Sequence, residues 1–134
     1  MNIDDCKFVE LKEFRDSHGN LVAIEGLKDI PFNIKRIFYI YDTLEDVVRG
    51  KHANRKSEFV LVCLKGTCKV DLFDGKRNNT VKLDSNTKGL YIPKMIWKDM
   101  YEFSQGCILL CLSNEYYDSK EYIRNKEQYK KEMK

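Results

Sequence analysis

The sequence contains few of the residues that mark metal centres, linkers and membrane segments. Its 134 residues include two histidines, two prolines, seven glycines and one tryptophan. No apolar run approaches the roughly 20 residues that a membrane-spanning helix needs. The first ten residues lack the basic flank and the apolar stretch of a signal peptide. These absences predict one globular domain over residues 1–134 that works in the cytoplasm and not on a membrane.

Neither the charge nor the cysteine content favours a nucleic-acid-binding or disulfide-bonded protein. Twenty-four Lys and Arg residues stand against 21 Asp and Glu, so the net charge is +3, with both signs interleaved. A nucleic-acid partner is therefore not expected. The five cysteines are odd in number, and no Cys-x-x-Cys pair with zinc-ligand spacing occurs. We expect buried, reduced thiols with a structural role and no bound metal.

Short apolar segments separated by turn residues run from residue 7 to about 113, a pattern typical of an all-β sandwich or barrel. The predicted strands are 8–11, 21–25, 35–41, 58–65, 68–73, 80–83, 89–92, 97–103 and 107–112. Segments 60–64 and 108–112 are apolar at every position, so both faces of these strands should be covered, by the chain or by an oligomer interface. Asp118 and Glu121 resemble a capping box and predict one C-terminal helix in a tail of about 118–134.

The two histidines, His18 and His52, lie at predicted turns beside glycine, a position that favours accessible imidazoles. From His52 to Gly66 the spacing His-x-Asn-x3-Glu-x7-Gly resembles a degenerate first cupin motif. The run Gly89-Leu90-Tyr91-Ile92-Pro93, followed by Ile96-Trp97-Lys98, resembles the second cupin motif. The sequence therefore resembles the cupins, a family of β-barrel proteins.

The resemblance places the metal-ligand positions of cupins at His52, Asn54, Glu58 and Lys98. A protonated lysine has no lone pair, and an amide oxygen is a poor ligand for the Fe, Mn, Ni or Zn ions that imidazole holds well. We therefore expect a site without a metal ion or other cofactor. In such a site one imidazole acts as acid or base beside cationic groups.

Nearly the whole chain resembles one group of metal-free cupins, the sugar-nucleotide 3,4-ketoisomerases of the WxcM-like, FdtA/QdtA type. The matching stretches, in the same order, are 16–25, 31–43, 49–53, 83–90, 97–104 and 113–124. This resemblance implies an all-β cupin fold, a double-stranded β-helix or jelly-roll barrel, with one short C-terminal helix. The barrel would span about 7–113 of a single cupin domain.

The resemblance implies conversion of dTDP-4-keto-6-deoxyglucose into a dTDP-3-keto-6-deoxyhexose through an enediol or enediolate. A pyridoxal-phosphate-dependent 3-aminotransferase would then act on the product, in the synthesis of 3-amino-3,6-dideoxyhexoses for surface glycans such as lipopolysaccharide or an S-layer glycan. The C4 ketone acidifies the C3 hydrogen, so a base of near-neutral pKa can remove it. Nearby cationic groups can stabilise the oxyanion. The resemblance also implies a homodimer that exchanges N-terminal strands.

The general base implied by the resemblance is His52, which matches the first histidine of the family's Arg-Gly-x-His-Ala-His run. Asn54 replaces the second histidine, so the second proton transfer falls to His52 itself, to a tyrosine or to water. Tyr39 matches a family tyrosine and is the candidate acid or orienting phenol, with Tyr41 on the same face as the alternative. Tyr39 and Arg36 alternate on one strand, so only one of the two can face the barrel interior.

Six residues are the expected substrate contacts: His18, Arg36, Arg49, Asn54, Trp97 and Lys98. A guanidinium such as Arg49 matches diphosphate oxygens, and Trp97 offers a ring on which thymine can stack. In the family, the residues at positions 18 and 98 relate to product configuration. The His18 and Lys98 pair matches neither the gluco nor the galacto combination, so the configuration at C4 stays open.

Two other functions fit the same resemblance less well. A dTDP-sugar 3,5-epimerase also deprotonates carbon next to a ketone, but it needs a second acid on the opposite face of the sugar, and no His/Asp pair for that role is evident. A non-catalytic dTDP-sugar-binding cupin would explain the loss of the second histidine. Retention of His52, Arg49 and the Trp97 segment argues against this binding module.

Overall fold

The computed structural model describes residues 2–134 and consists mainly of β-strands. The strands are β1 (Lys7–Glu10), β2 (Glu13–Asp16), β3 (Gly19–Val22), β4 (Arg36–Tyr41), β5 (Arg49–Asn54), β6 (Phe59–Lys65), β7 (Cys68–Phe73), β8 (Asn78–Leu83), β9 (Lys88–Ile92), β10 (Trp97–Tyr101), β11 (Ile108–Ser113) and β12 (Tyr122–Ile123). One α-helix, α1 (Lys126–Glu132), lies near the C-terminus, and Ile3–Asp5 and Ser119–Glu121 form short 3-10 turns. None of the helices within residues 2–134 has the length and apolarity to cross a membrane.

Two five-stranded sheets enclose the main core. Their strand orders are β1-β9-β6-β11-β4 and β12-β5-β10-β7-β8, and neighbouring strands are antiparallel. Alternate side chains of both sheets fill the space between them, because successive residues of a strand point to opposite faces. They include Phe59, Leu61, Leu90 and Leu109 from one sheet and Val70, Leu72, Leu83 and Met100 from the other. This is the predicted cupin jelly roll.

The chain itself covers the outer face of the fully apolar strands. Val60 and Val62 of β6 and Leu112 of β11 point away from the barrel interior and pack against Leu11, Ile30 and Phe32 of the N-terminal segment. All six side chains are at most 4% exposed. The chain therefore covers most of both faces of these strands, but not all of them, since Leu64 near the end of β6 is 42% exposed.

The turn predicted around His52 is wrong, because residues 49–54 form strand β5. This strand lies between β12 and β10 in the second sheet. Its sequence, RGKHAN, does not alternate between apolar and polar residues. The strands on either side bury its last two residues, Ala53 and Asn54. The predicted strand 21–25 is also displaced, since β3 pairs with β2 in a separate hairpin whose tip holds His18.

The predicted C-terminal helix begins later than Asp118. The Asp118 side chain accepts a hydrogen bond from the Lys120 N–H and caps a 3-10 turn, not an α-helix. Tyr122 and Ile123 then leave the helical path to pair with Asn54 and Ala53 of β5. The helix itself is capped by Asn125 and runs over Lys126–Glu132.

Candidate active site

A cavity of about 110 Å³ lies between the two sheets. Its walls are mostly apolar, with one imidazole and one amine among them. The lining residues are Phe38, Ile40, Arg49, Gly50, His52, Phe59, Leu61, Lys98, Met100, Cys111 and Tyr122. A concave apolar pocket with a few convergent polar groups is the usual form of a small-molecule site.

A β-bulge directs His52 into this cavity. Gly50 and Lys51 both have positive φ, 87° and 57°, and the pairing of β5 with β10 shifts register between Lys98 and Asp99. A Cβ at position 50 would lie only 2.9 Å from the Lys98 carbonyl oxygen, so the bulge requires glycine. The Gly-Lys-His order therefore places the imidazole in the cavity.

The hydrogen bond of the His52 ring fixes which nitrogen is basic. Nδ1 lies 2.9 Å from the Gly50 carbonyl oxygen. A carbonyl only accepts, so we assign the ring hydrogen to Nδ1, which leaves the lone pair on Nε2. Burial, and then the charge of Lys98, lower the pKa of His52 to about 4. At neutral pH the ring is therefore uncharged and can accept a proton at Nε2.

Lys98 is the second titratable group inside the cavity and is only 3% exposed. Its Nζ donates to Asn54 Oδ1 at 3.0 Å and to the Ile96 carbonyl at 3.4 Å, and it lies 4.8 Å from the centre of the Phe59 ring. Burial lowers the pKa of Lys98 to about 7. The amine can therefore both give and take a proton near neutral pH.

Asn54 positions Lys98 and does not line the cavity, which corrects the expected substrate contact. Its side chain is fully buried, with Oδ1 accepting from Lys98 and Nδ2 donating to Glu121. Glu121 also accepts from the N–H groups of Lys56 and Ser57, at 3.0 and 2.9 Å, and from the Ser57 hydroxyl at 2.9 Å. Burial acts to raise the pKa of Glu121, but these hydrogen bonds hold it below its ordinary value.

Replacing Glu121 with alanine is expected to destabilise the fold strongly. Glu121→Ala leaves buried donors of Ser57 and Asn54 without an acceptor, and each unsatisfied buried donor costs about 1–3 kcal/mol. We expect urea denaturation to show a free energy of unfolding lower by about 3 kcal/mol or more. The control is Glu127→Ala, whose carboxylate is 79% exposed and should change stability by about 0.5 kcal/mol or less. Equal effects would contradict a structural role for the Glu121 network.

Arg36 and Arg124 lie beside Tyr122, which lines the cavity, and we call them, together with Arg49, the mouth arginines. Arg49 lines the cavity and is exposed. Arg36 Nη2 donates to the Tyr122 hydroxyl at 3.3 Å, and its guanidinium lies 5.5 Å from the Tyr117 ring centre. The guanidinium of Arg124 lies 4.7 Å from the Tyr122 ring centre. Among residues 2–134, the buried Nε of Arg36 has no hydrogen-bond partner.

Tyr39 and Trp97 lie away from the cavity, which corrects both expectations. Phe38 and Ile40 line the cavity, so Tyr39 points to the outer face of β4, where it is 62% exposed beside Tyr41. Trp97 is buried on the face of β10 opposite Lys98, with its ring 5.6 Å from that of Tyr129 in helix α1. His18, at the tip of the hairpin of β2 and β3, has a side chain 93% exposed and is also outside this chain's cavity.

Sequence reasoning missed Tyr122, Glu121 and Arg124 as site residues. The ring of Tyr122 meets that of His52 edge-on, with centres 4.8 Å apart, and it is the phenol of the cavity in place of Tyr39. The charge of Arg124 contributes to the lowered pKa of His52, after burial and Lys98. The stretch 122–124 belonged to the family resemblance, but its assignment to a helix concealed its place beside β5.

The side chains at the cupin metal-ligand positions do not fit a metal ion. Glu58 points out of the barrel, where it accepts from the Tyr91 hydroxyl and, at 3.0 Å, from Asn114 Nδ2. The amide of Asn54 is occupied by Lys98 and Glu121, and Lys98 holds the remaining position with an amine. Of these four positions within residues 2–134, His52 alone carries the imidazole that such ions prefer, and one imidazole is a weak site for them.

Comparison with known proteins identifies the family to which this fold belongs. The sequence model of the family described as FdtA, WxcM-like, C-terminal matches residues 4–134. The chain belongs to this family. The resemblance stated from sequence is thereby confirmed, together with the cupin-like fold of the FdtA family.

Members of the FdtA family with known activities cover nearly the whole chain. The TDP-4-oxo-6-deoxy-alpha-D-glucose-3,4-oxoisomerase of Aneurinibacillus thermoaerophilus is 46% identical over 125 residues, 93% of this chain and 90% of the relative. The structure of WlaRA, a TDP-fucose-3,4-ketoisomerase of Campylobacter jejuni, is 45% identical with a TM-score of 0.93, over 97% and 96% of the two chains. A histidine-to-asparagine variant of the 3,4-ketoisomerase QdtA of Thermoanaerobacterium thermosaccharolyticum, in complex with TDP-4-keto-6-deoxyglucose, is 39% identical with a TM-score of 0.93, over 96% and 93%.

Proposed function

We propose that this chain is an isomerase that converts dTDP-4-keto-6-deoxyglucose into a dTDP-3-keto-6-deoxyhexose. The observation that carries the proposal is the pairing, in one cavity, of a neutral imidazole with a free Nε2 and a buried amine, His52 and Lys98. The 3,4-oxoisomerase and 3,4-ketoisomerases of the same family support the substrate class. The reaction moves two protons, one between carbons and one between oxygens.

His52 moves the carbon-bound proton. Its Nε2 takes the proton from C3, and the electron pair of the C3–H bond forms the C3–C4 double bond of an enediolate as the C4 oxygen becomes negative. The resulting imidazolium returns a proton to C4. One base can serve both carbons when they share a face of the sugar. We therefore propose that His52 acts twice in place of the absent second histidine.

Lys98 moves the oxygen-bound proton and stabilises the enediolate. As an ammonium ion it donates to the C4 oxygen, where negative charge develops. A proton then passes to that oxygen, and the neutral amine accepts the proton of the C3 hydroxyl as the C3 ketone forms. A pKa of about 7 suits a group that must both give and take a proton at neutral pH. The Asn54 and Glu121 network keeps the amine in position.

The mouth arginines hold the diphosphate of the substrate. Arg36, Arg49 and Arg124 carry guanidinium groups whose donors match phosphate oxygens, and the unpartnered Arg36 Nε supplies a further donor. The ring of Tyr117, 62% exposed beside Arg36, offers the stacking surface for thymine that buried Trp97 does not. The deoxysugar then reaches His52 through the apolar part of the cavity.

The pH dependence of kcat/KM follows from the two cavity groups. His52 must be neutral and has a pKa lowered to about 4, so activity rises with pH through that value. Lys98 must be protonated and has a pKa lowered to about 7, so activity falls above that value. We expect a bell-shaped profile measured from pH 3.5 to 9.5. A single acid limb near 6.5, the ordinary value for histidine, with no alkaline limb below pH 9 would contradict these assignments.

The enzyme is proposed to act as a homodimer with exchanged N-terminal strands. Within residues 2–134, the hairpin of β2 and β3 pairs with no other strand. It carries Phe14 and Leu21, which are 50% and 59% exposed. An apolar hairpin that projects from its own barrel is suited to pack on a second copy. We propose that the exchanged hairpin carries His18, whose side chain is 93% exposed, to the cavity of the second copy, where it would make the expected substrate contact.

A charge placed on the hairpin is expected to dissociate the dimer. Leu21→Lys places an ammonium group in the proposed interface, so light scattering after gel filtration should show a monomer where the wild type gives a dimer. Leu44→Lys is the control, since Leu44 is 70% exposed in a loop outside the hairpin, and it should remain dimeric. A monomeric wild-type protein, or a dimeric Leu21→Lys variant, would contradict the proposed interface.

Turnover with a trapping enzyme tests the proposed reaction. EDTA-treated protein is incubated with dTDP-4-keto-6-deoxyglucose, a pyridoxal-phosphate-dependent 3-aminotransferase and an amino donor. We propose that the two enzymes act in this order in the cytoplasm, in the synthesis of surface glycans. We expect a dTDP-3-amino-3,6-dideoxyhexose that forms only when this chain is present. Inversion at C3 and C5 without a 3-amino product would indicate an epimerase, and dTDP binding without any product would indicate a binding module.

A further inference from the structure

Three of the five cysteines converge at a place that the catalytic proposal does not use. Cys63 lies in β6, Cys68 begins β7 and Cys107 precedes β11. Their three sulfur atoms all lie within 4.8 Å of one another, and the Sγ atoms of Cys63 and Cys107 are 3.7 Å apart. Each residue is at most 3% exposed, and none of the three lines the His52 cavity. We call Cys63, Cys68 and Cys107 the thiol cluster.

A glycine turn and two hydrogen bonds fix the backbone around the thiol cluster. Gly66 has a φ of 77°, and a Cβ there would lie 2.4 Å from Ser104 Oγ and 3.0 Å from the Cys107 Cα. The Ser104 hydroxyl accepts from the Thr67 N–H at 2.8 Å, and the Ser104 N–H donates to the Thr67 carbonyl at 2.9 Å. These hydrogen bonds hold the turn between β6 and β7 against the segment before β11. Cys107 therefore lies beside two thiols that are distant from it in sequence.

We propose that the thiol cluster binds a soft metal ion, monovalent copper, through three cysteine sulfurs. Thiolates select soft ions such as Cu(I) over hard ions. An ion about 2.3 Å from three sulfurs in one plane requires sulfur–sulfur separations of about 4 Å. The observed separations are close to that value. This proposal replaces the expectation that the cysteines have only a structural role, which rested on the absence of a Cys-x-x-Cys pair.

The number of ligands favours Cu(I) over Zn(II). Within residues 2–134, no histidine, aspartate, glutamate or further cysteine joins the three sulfurs as a fourth ligand. Structural zinc is almost always bound by four ligands in a tetrahedron, and the buried position of these thiols leaves little access for a water molecule. Three soft ligands without a fourth suit a monovalent ion of low coordination number.

Metal binding at the thiol cluster is a proton exchange without electron transfer. Each copper–sulfur bond replaces an S–H bond, whose proton goes to solvent, and copper enters and remains as Cu(I). The bound ion would link β6, β7 and the segment before β11.

Competition with a copper chelator tests the site in the full chain. Reduced protein is titrated without oxygen against the Cu(I) complex of bathocuproine disulfonate, and native mass spectrometry counts the copper bound. We expect one Cu(I) per chain in the wild type. Cys63→Ser and Cys107→Ser should each weaken binding by about 100-fold or more, since losing even an outer partner of a metal ligand costs about 10–100-fold. Cys6→Ser, whose thiol lies outside the cluster, should bind like the wild type.

Copper absorption spectra of the wild-type protein keep the test independent of how the variants fold. The X-ray absorption spectrum of the loaded protein should show three sulfur neighbours for each copper ion. Failure of the wild type to take copper from the chelator would overturn the proposal. A spectrum without sulfur neighbours would also overturn it. So would a folded Cys63→Ser or Cys68→Ser variant that binds copper as well as the Cys6→Ser variant does.

Discussion

Replacing His52 with asparagine is expected to reduce kcat by about 10²–10⁴-fold, the usual contribution of a general base. Asparagine has no nitrogen that can hold a proton taken from carbon, whereas the His52 Nε2 is basic because Nδ1 donates to Gly50. The arginines at the cavity mouth are unchanged by this substitution, so the Kd for dTDP should stay within a few-fold. Steady-state kinetics and calorimetric titration with dTDP measure the two quantities separately.

Two results would contradict the role of His52. Turnover within about tenfold of the wild type would place the base elsewhere, since a base contributes more than that. A loss of dTDP affinity as large as the loss of turnover would make the imidazole a binding group. Lys76→Gln is the control because Lys76 lies outside β5, is exposed and does not line the cavity. Its kcat should be unchanged.

Replacing Lys98 with methionine should reduce kcat by about 10²–10³-fold, the usual cost of removing one donor to a developing oxyanion. Methionine keeps the unbranched chain of lysine and removes only the group that gives and takes a proton. The pH profile of the remaining activity should no longer fall near pH 7, because that fall reflects deprotonation of the Lys98 amine. The acid limb should move to higher pH, since the charge of Lys98 contributes to the lowered pKa of His52.

The pH profile separates a catalytic role of Lys98 from a structural one. A variant that is merely misfolded would lose activity at every pH and keep both limbs in whatever activity remains. Lys94→Met is the control, since Lys94 is exposed a few residues earlier and does not line the cavity. An unchanged alkaline limb in the Lys98→Met variant would contradict the proton transfer proposed for the amine.

The barrel could be predicted from sequence because its strands show the burial pattern directly. Segments such as those of β6 and β11 are apolar throughout, and turn residues separate them at regular spacing. Strand β5 could not be predicted in this way. Its residues are polar or small, three of them line the cavity, and the strand is enclosed by β10 and β12, which are distant in sequence. A local pattern contains no information about such neighbours.

The site was predictable only where a motif fixed the position of a residue. His52 and Lys98 follow from the cupin motifs, and both line the cavity. For Tyr39, alternation along β4 establishes that it faces away from Arg36, but not which of the two faces the interior. Tyr122 reaches the cavity through pairing of β12 with β5, which its helical spacing concealed. The thiol cluster likewise depends on a long-range contact that brings Cys107 to Cys63.

Proton NMR in deuterium oxide tests the central claim most directly, that one cavity base moves hydrogen from C3 to C4. EDTA-treated protein is mixed with dTDP-4-keto-6-deoxyglucose and the sugar signals are followed. We expect a 3-keto sugar whose C4 hydrogen is protium carried over from C3, or deuterium where the imidazolium has exchanged with solvent before the return, and coupling constants at C4 that identify its configuration. Exchange at C5, or no 3-keto product while dTDP binds tightly, would contradict the claim.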